Sequence, residues 1–148
     1  MKIADFLAPG DVMIDVSASD KQKLLRALAH KAGSIVDVLP ERVLAELQRR
    51  EKLGSTGIGG GVALPHAPFH QVGKPMGVFF RLRKRIAFEA VDGEPVDLVF
   101  LLLLPEAPAG DQLGALASIA RKLRNPGVTT ALRKARDSPA MYRALISD

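Results

Sequence analysis

The feature that most constrains the fold is the apolar run VDLVFLLLL at residues 96–104. A strand with one face in water alternates apolar and polar residues, but the charged side chain in this run is Asp97 alone. Because the run is apolar on both faces, other elements must cover it on both sides. It is also far shorter than the ~20 residues that cross a bilayer. We therefore predict a central strand between two layers and no membrane insertion.

Two amphipathic helices are predicted before this strand. The first starts at the Ser and Asp residues of SASDKQKLLRALAHKAG and ends at Gly33, with His30 on its exposed side. The second starts at Pro40, a favoured first-turn residue. The predicted buried stripes are Leu24, Leu25, Leu28 and Ala32 in the first helix and Val43, Leu44 and Leu47 in the second. Arg50 lies at the edge of the second stripe, whereas Arg49 points away from it.

Strand patterns fill the middle of the chain. The segments VAL at 62–64 and MGVFFRL at 76–82 are predicted to be strands. Between the second of them and the apolar run, Asp92 and Gly93 form a turn signal that joins two extended stretches. The middle of the chain therefore predicts a sheet with neighbours for the central strand.

Three helices are predicted in the last third. The first, DQLGALASIARKLR at 111–124, stops at Asn125. Its predicted buried stripe is Leu113, Leu116, Ala120 and Leu123. A short helix follows from Pro126, and the last helix has Ser138 as its N-cap. Together the patterns predict one domain over residues 1–148, an α/β sandwich with a central mixed β-sheet flanked by helices.

Composition excludes several classes of protein. The 148 residues include no cysteine, which excludes disulfides and thiolate metal sites and makes a reducing cytoplasm the expected compartment. The net charge of +5 raises the question of nucleic acid, but one tyrosine and no tryptophan leave little to stack on bases. The basic group at 121–124 suits the C-terminal end of a helix dipole. We therefore expect no nucleic-acid partner.

The segment GSTGIGGGVALPHAP at 54–68 is the strongest candidate for a functional site. A nucleotide-binding loop follows a strand and opens a helix, whereas these glycines follow a helix and lead into a strand. Pro65 restricts the backbone just before His66. On the residues alone His66 is either structural or chemical. A metal site is not predicted, since His70 is the other nearby candidate and no carboxylate has ligand spacing.

The residues RREKLGSTGIGGGVALPHAP resemble the signature of the enzyme IIA components of the bacterial phosphotransferase system, of the fructose/mannitol and nitrogen-regulatory type. The resemblance covers nearly the whole chain. SDKQKLLRALA is similar to the first helix of that family, AFEAVDGEPVDLVFLLLLP to its central hairpin and strand, and LGALASIARKLRN to the helix beside its site. It implies the enzyme IIA fold of the mannitol/fructose type.

The resemblance implies that His66 accepts a phosphoryl group from an HPr-like phosphocarrier protein. Arg50 corresponds to the arginine at the family's site, and Thr56, Gly57 and Gly59 to the segment that shapes its pocket. No cofactor is implied, because the donor phosphohistidine is already activated. The implied protein is a phosphotransferase component in nitrogen, potassium or carbon regulation. Its implied regulatory targets are partners such as sensor kinases or potassium transporters.

Gln112 stands where the family usually has a second histidine. A neutral hydrogen bond contributes about 0.5–1.5 kcal/mol against about 1.5–3 for a charged one, so we expect Gln112 to slow phosphoryl transfer without abolishing it. Two hypotheses follow. The chain is a phosphotransferase intermediate that carries the group on His66, or it is a regulatory binding module that contacts partner proteins, with phosphorylation weak or absent.

Overall fold

A computed structural model gives the fold of residues 1–106 and 110–148; for 110–112 it describes the helical backbone without the side chains. The sheet consists of β1 (Val12–Val16), β2 (Gly57–Gly59), β3 (Val62–Ala63), β4 (His66–Pro68), β5 (Met76–Ile86) and β6 (Val96–Leu104). The α-helices are α1 (Lys21–Val36), α2 (Pro40–Lys52), α3 (Gly110–Arg124), α4 (Pro126–Lys134) and α5 (Ser138–Ile146). Short 3-10 helices at Ile3–Asp5 and Pro9–Asp11 precede β1.

The sheet is mixed, with the strand order β1-β5-β6-β3-β2 and with β4 also paired to β6. The β5–β6 and β2–β3 pairs are antiparallel, whereas β1 is parallel to β5 and both β3 and β4 are parallel to β6. Val62 lies opposite Leu98 and His66 opposite Leu102, so β3 and β4 keep one register along β6. They are a single strand path interrupted at residues 64 and 65.

The apolar run forms β6, and both of its faces are covered as predicted. Leu98, Phe100 and Leu102 belong to a core shared with α3, α4 and α5. Val99 and Leu101 belong to a second core shared with α1 and α2. The α/β sandwich predicted from the sequence is therefore confirmed, with the sheet between two helical layers.

The first helix runs further than predicted. Asp20 caps its N-terminus by accepting a hydrogen bond from the Lys23 N–H. The helix passes Gly33 and ends at Val36, because Asp37 adopts the left-handed conformation that terminates it. Gly33 instead permits close packing, since a Cβ there would lie 2.6 Å from the Val38 carbonyl oxygen. The second helix starts at Pro40 as predicted.

Two predictions for the C-terminal helices are wrong. Leu113 is 75% exposed, whereas the buried stripe of α3 is Ala115, Ile119 and Leu123. The buried face of α3 is rotated relative to the predicted one, because Ala115 and Ile119, rather than Leu113, face the sheet. The N-cap of α5 is Asp137, whose carboxylate accepts from the Ala140 N–H, so the helix begins at Ser138 rather than being capped by it.

Among the residues whose fold is described, we find no helix with the length and apolarity needed to cross a membrane.

Candidate functional site

The site lies where α2 ends and the interrupted strand path passes under it. Within β4, Ala67 packs into the α1–α2 core. Because successive strand residues face opposite sides, His66 shares the α3–α5 face with its partner Leu102. The break at Leu64 and Pro65 separates β3 from β4, with the Pro65 carbonyl accepting from the Leu102 N–H at 2.9 Å. The sheet thus holds His66 at a fixed place in the layer.

Both ring nitrogens of His66 have a partner. Nδ1 is 2.8 Å from the Leu64 carbonyl oxygen, and because a carbonyl can only accept, Nδ1 carries the proton of the neutral ring. Nε2 is then the unprotonated nitrogen, and it accepts from the Arg50 Nε–H at 3.3 Å. The imidazole is half-buried. The arrangement fixes one tautomer and leaves the lone pair of Nε2 on the side of a cation.

The surroundings keep this ring neutral. Burial lowers the pKa of His66, and the nearby guanidinium of Arg50 lowers it further. The hydrogen bond to Leu64 and the carboxylate of Glu51 act in the opposite direction, but the net shift of the pKa is downward. A neutral imidazole near pH 7 has the lone pair that a nucleophile needs.

Arg50 and Arg49 differ as the helix pattern predicts. The Arg49 side chain is 78% exposed and lies 3.7 Å from Glu46 on the same helix. Arg50 is half-buried and turns toward the sheet, where its Nη1 donates to the Gly54 carbonyl oxygen at 2.7 Å. This second bond ties the guanidinium to the loop that follows α2. A planar cation held at two points suits an oxyanion such as a phosphoryl group.

Thr56 is buried and faces away from open solvent. Its hydroxyl donates to the Glu51 carboxylate, and its N–H donates to the Glu51 Oε1 at 3.1 Å. Glu51 in turn forms an ion pair of 2.9 Å with Lys21. Glu51 and Lys21 were not predicted from the sequence. A signal was available, since an acidic residue in the last turn of a helix opposes the helix dipole.

Gly57 and Gly59 lie in β2, and their described close contacts are with the turn that precedes β6. A Cβ on Gly57 would lie 2.8 Å from the Ala90 Cα, so a side chain does not fit. Gly59 has a φ of +99°, and a Cβ there would lie 3.2 Å from an Asp92 carboxylate oxygen. These glycines let the β2–β3 hairpin pack closely on residues 90–92.

A second ion pair holds the tip of this hairpin. Asp97 in β6 lies 2.9 Å from the Arg133 guanidinium of α4 and 3.5 Å from Arg85 of β5. Arg133 also donates to the Gly60 carbonyl oxygen at 2.8 Å. Gly61 has a φ of +79°, and a Cβ there would lie 2.5 Å from Arg133. The hairpin is therefore fixed to both the sheet and α4.

The other two histidines of the chain, His30 and His70, lie outside the site. His30 and His70 are exposed, as predicted for His30. Gln112 lies in the helical backbone of α3, and its side chain falls outside the described residues. Within the part of the chain that the structure describes, no group of three or more His, Cys, Asp or Glu side chains could hold a metal ion.

An apolar groove lies beside the site. It is lined by Leu64, Leu113, Leu116, Ala117, Ala120, Arg121 and Arg124. Leu64 is shared, since its carbonyl binds His66 and the residue also lines the groove. The exposed Leu113 belongs to this groove rather than to the core.

The chain matches the model of a known protein family over residues 5–148, described as the phosphoenolpyruvate-dependent sugar phosphotransferase system, EIIA 2. A nitrogen regulatory protein of Bradyrhizobium diazoefficiens is 43% identical over 145 residues, which cover 98% of this chain and 95% of that protein. These matches confirm the resemblance seen in the sequence.

Solved structures agree with this result. The nitrogen regulatory protein IIA-Ntr of Neisseria meningitidis has a TM-score of 0.92 and 31% identity, over 97% of this chain and 98% of that chain. The Escherichia coli mannitol IIA protein, in complex with phosphorylated mannitol IIB, has a TM-score of 0.78 and 19% identity, over 93% and 95%. The second likeness concerns the fold alone.

Proposed function

The chain belongs to the EIIA 2 family of the phosphoenolpyruvate-dependent sugar phosphotransferase system, and on this premise we propose that it is a phosphoryl carrier whose acceptor is His66. The donor is the phosphohistidine of an HPr-like carrier protein. The protein acts as a component of a phosphotransferase system rather than as a free-standing enzyme, and its phosphorylation state regulates partner proteins. The observation that carries the proposal is the pairing of the two ring nitrogens, with Nδ1–H on the Leu64 carbonyl and Nε2 facing Arg50.

The chemistry follows from this pairing. The Nε2 lone pair attacks the phosphorus of the donor, the Nε2–P bond forms as the donor N–P bond breaks, and the donor ring leaves with that electron pair. A donor ring protonated on its other nitrogen leaves as neutral imidazole. His66 keeps its Nδ1 proton, so its ring becomes cationic and the Leu64 carbonyl dipole stabilises it.

Arg50 acts on the phosphoryl oxygens. Before transfer its Nε–H donates to the nitrogen that reacts, and this hydrogen bond breaks as the Nε2 lone pair attacks phosphorus. The freed N–H then lies beside the phosphoryl oxygens and donates to one of them. Phosphoryl transfer asks a protein mainly for positioning and for stabilisation of charged oxygens, and a bound guanidinium supplies both. Thr56, Gly57 and Gly59 support the loop behind these groups, and no cofactor is needed in this step.

The apolar groove supports docking of a protein donor. Leu113 and its neighbours offer an exposed apolar surface of the kind found in interface cores, in a groove that includes Leu64, whose carbonyl binds His66. A carrier bound there would bring its phosphohistidine to His66. The nitrogen regulatory relatives suggest the control of nitrogen metabolism, and sensor kinases or potassium transporters are the classes of downstream target that we propose. A IIB-type partner, as in the mannitol complex, is a further candidate acceptor.

Incubation with a phosphorylated HPr-like carrier, followed by intact-mass measurement, tests the proposal. We expect a mass gain of one acid-labile, base-stable phosphoryl group, and we expect His66→Ala to lose it. His30→Ala and His70→Ala are matched controls that keep it, because both imidazoles are exposed and lie outside the site. Label that persists in His66→Ala would show that another residue is the acceptor. A wild type that takes no phosphoryl group would favour the regulatory binding module.

A further inference from the structure

A continuous series of hydrogen bonds leads from a buried ion pair to His66. The Glu51 carboxylate accepts from the Thr56 N–H at 3.1 Å and from the Thr56 hydroxyl. The Thr56 carbonyl accepts from the Leu64 N–H at 2.9 Å, and the Leu64 carbonyl binds Nδ1 of His66 at 2.8 Å. From Thr56 onward the links pass through backbone, so Glu51 helps the sheet to set the position of the carbonyl that binds Nδ1.

The ion pair at the start of the series is buried. The side chains of Glu51 and Lys21 are 6% and 12% exposed, and Thr56 as a residue is 3% exposed. Lys21 lies 4.5 Å from the centre of the Phe88 ring and 3.4 Å from the Phe88 carbonyl oxygen. Buried charges are costly to desolvate unless each is paired and hydrogen-bonded, and here both are. The carboxylate is thus held rigidly from two sides.

The same segment also fixes Arg50. The acceptor for Arg50 Nη1 is the carbonyl of Gly54, two residues before Thr56. Glu51 therefore anchors a loop that carries both the support of the guanidinium and, through Leu64, the support of the imidazole. Displacing Thr56 would move the partners of both ring nitrogens at once.

We propose that Glu51 is a positioning residue for phosphoryl transfer, because its carboxylate, neutralised by Lys21, clamps Thr56 and thereby fixes the tautomer of His66 and the approach of Arg50. The inference rests on the proposed function as far as transfer is concerned. The claim about the tautomer concerns His66 alone and does not depend on phosphorylation.

Glu51→Gln tests the carboxylate, and the pair Thr56→Val and Thr56→Ser tests the link. Gln keeps the shape of Glu51 but replaces one acceptor oxygen by a donor. Val removes the Thr56 hydroxyl, whereas Ser restores it. Glu46→Gln is the matched control, because Glu46 lies on the same helix and pairs with the exposed Arg49. The double variant Lys21→Met/Glu51→Gln restores charge balance without restoring the clamp.

The rate of transfer from a phosphorylated HPr-like carrier is the first readout. We expect Glu51→Gln and the double variant to be slower by about 10-fold or more, since small displacements in such sites cost up to about 100-fold. Thr56→Val should be slow and Thr56→Ser close to the wild type. Circular dichroism and thermal unfolding identify the variants that are folded. If Glu51→Gln does not fold, the inference is tested by Thr56→Val and Thr56→Ser: a slow Val variant with a normal Ser variant supports it, and two normal variants overturn it.

The tautomer of His66, read from the nitrogen-15 shifts of its ring, is the second readout. We expect a protonated Nδ1 in the wild type and a gain of Nε2–H in Glu51→Gln and Thr56→Val. A folded Glu51→Gln with the wild-type tautomer and rate would overturn the inference. If the wild type takes no phosphoryl group, the proposed function fails, and the tautomer alone then supports or overturns the role of Glu51.

Discussion

The β2–β3 hairpin lies between two ion pairs of the same length and of different consequence. Lys21–Glu51 and Arg133–Asp97 both measure 2.9 Å, and each also binds the backbone of the glycine-rich segment. From Glu51 the hydrogen bonds continue through the backbone to His66. From Arg133 they end at the hairpin tip, on the Gly60 carbonyl.

The difference teaches that a buried ion pair has no fixed role. What it does depends on which backbone it holds and where that backbone leads. We expect changes at Lys21–Glu51 to alter the chemistry of His66, and changes at Arg133–Asp97 to alter the stability of the fold.

Breaking the Arg133–Asp97 pair should have the largest effect, and on stability alone. Asp97→Asn leaves Arg133 without its counter-charge, which costs about 3 kcal/mol at a largely buried pair. Chemical denaturation measures this loss. Glu94→Gln, a change of an exposed acid close by in sequence, should stay within about 0.5 kcal/mol of the wild type.

The folded Asp97→Asn protein should accept phosphoryl groups at the wild-type rate. A slower transfer in the folded variant would show that the hairpin tip is coupled to His66. The two ion pairs would then both affect the chemistry of His66, and the difference drawn between them would be wrong.

Arg50→Ala should produce the next largest effect, this time on rate. It removes a charged donor from the reacting nitrogen and its phosphoryl group, and loss of one such donor costs about 100-fold. Arg49→Ala is the control, because Arg49 is exposed and pairs with Glu46. The measurement is single-turnover transfer from the phosphorylated carrier. Equal rates for the two variants would show that Arg50 does not act on the phosphoryl group.

Arg50→Ala should also shift the pH dependence. The charged side chains that affect His66 in the described structure are Arg50, which lowers its pKa, and Glu51, which raises it. Removing Arg50 raises the pKa, so the ring gains its second proton at a higher pH and Nε2 loses its lone pair sooner as the solution is acidified. The acid limb of the rate profile should therefore move to higher pH. An acid limb that stays in place would contradict this account.

Gln112→His should have the smallest effect. A donor that can be charged replaces a neutral one, and a gain of ~1 kcal/mol corresponds to a rate about fivefold higher near pH 6. The gain should shrink above about pH 7.5, where an unperturbed imidazole is neutral. Transfer rates across pH for the wild type and the variant measure it. An unchanged rate at every pH would mean that position 112 does not touch the phosphoryl group.

The layers of the fold were predictable from periodicity. The apolar run of β6 required two covering layers, and the apolar stripe of α2 predicted that Arg50 and Arg49 face different sides. The hydrophobic pattern did not predict which face of α3 is buried, because that depends on how the helix packs against the sheet. Leu113 fits a buried stripe as well as Ala115 does, but Ala115, Ile119 and Leu123 are the α3 residues buried in the core, and Leu113 is left exposed.

The candidate site was predictable only in part. His66 and Arg50 follow from local sequence and from the family signature, and the structure brings their side chains together. The ion pair between Lys21 and Glu51 is a tertiary contact between α1 and α2, and no spacing rule connects residues so far apart in sequence. The contact between Glu51 and Thr56 spans five residues but depends on the turn of the loop after α2. The local signal for this ion pair was Glu51 itself, because an acidic residue in the last turn of a helix opposes the helix dipole.

The acceptor that orients His66 is a main-chain carbonyl, and this bears on how the protein can vary over evolutionary time. No substitution at position 64 deletes a carbonyl, whereas an orienting carboxylate can be lost in a single codon change. Selection at position 64 therefore acts on backbone shape and on the apolar groove, and the side chain there is free to drift within those limits. The tautomer of the reactive ring therefore follows from the path of the chain, and Glu51 affects it only by holding that path at Thr56.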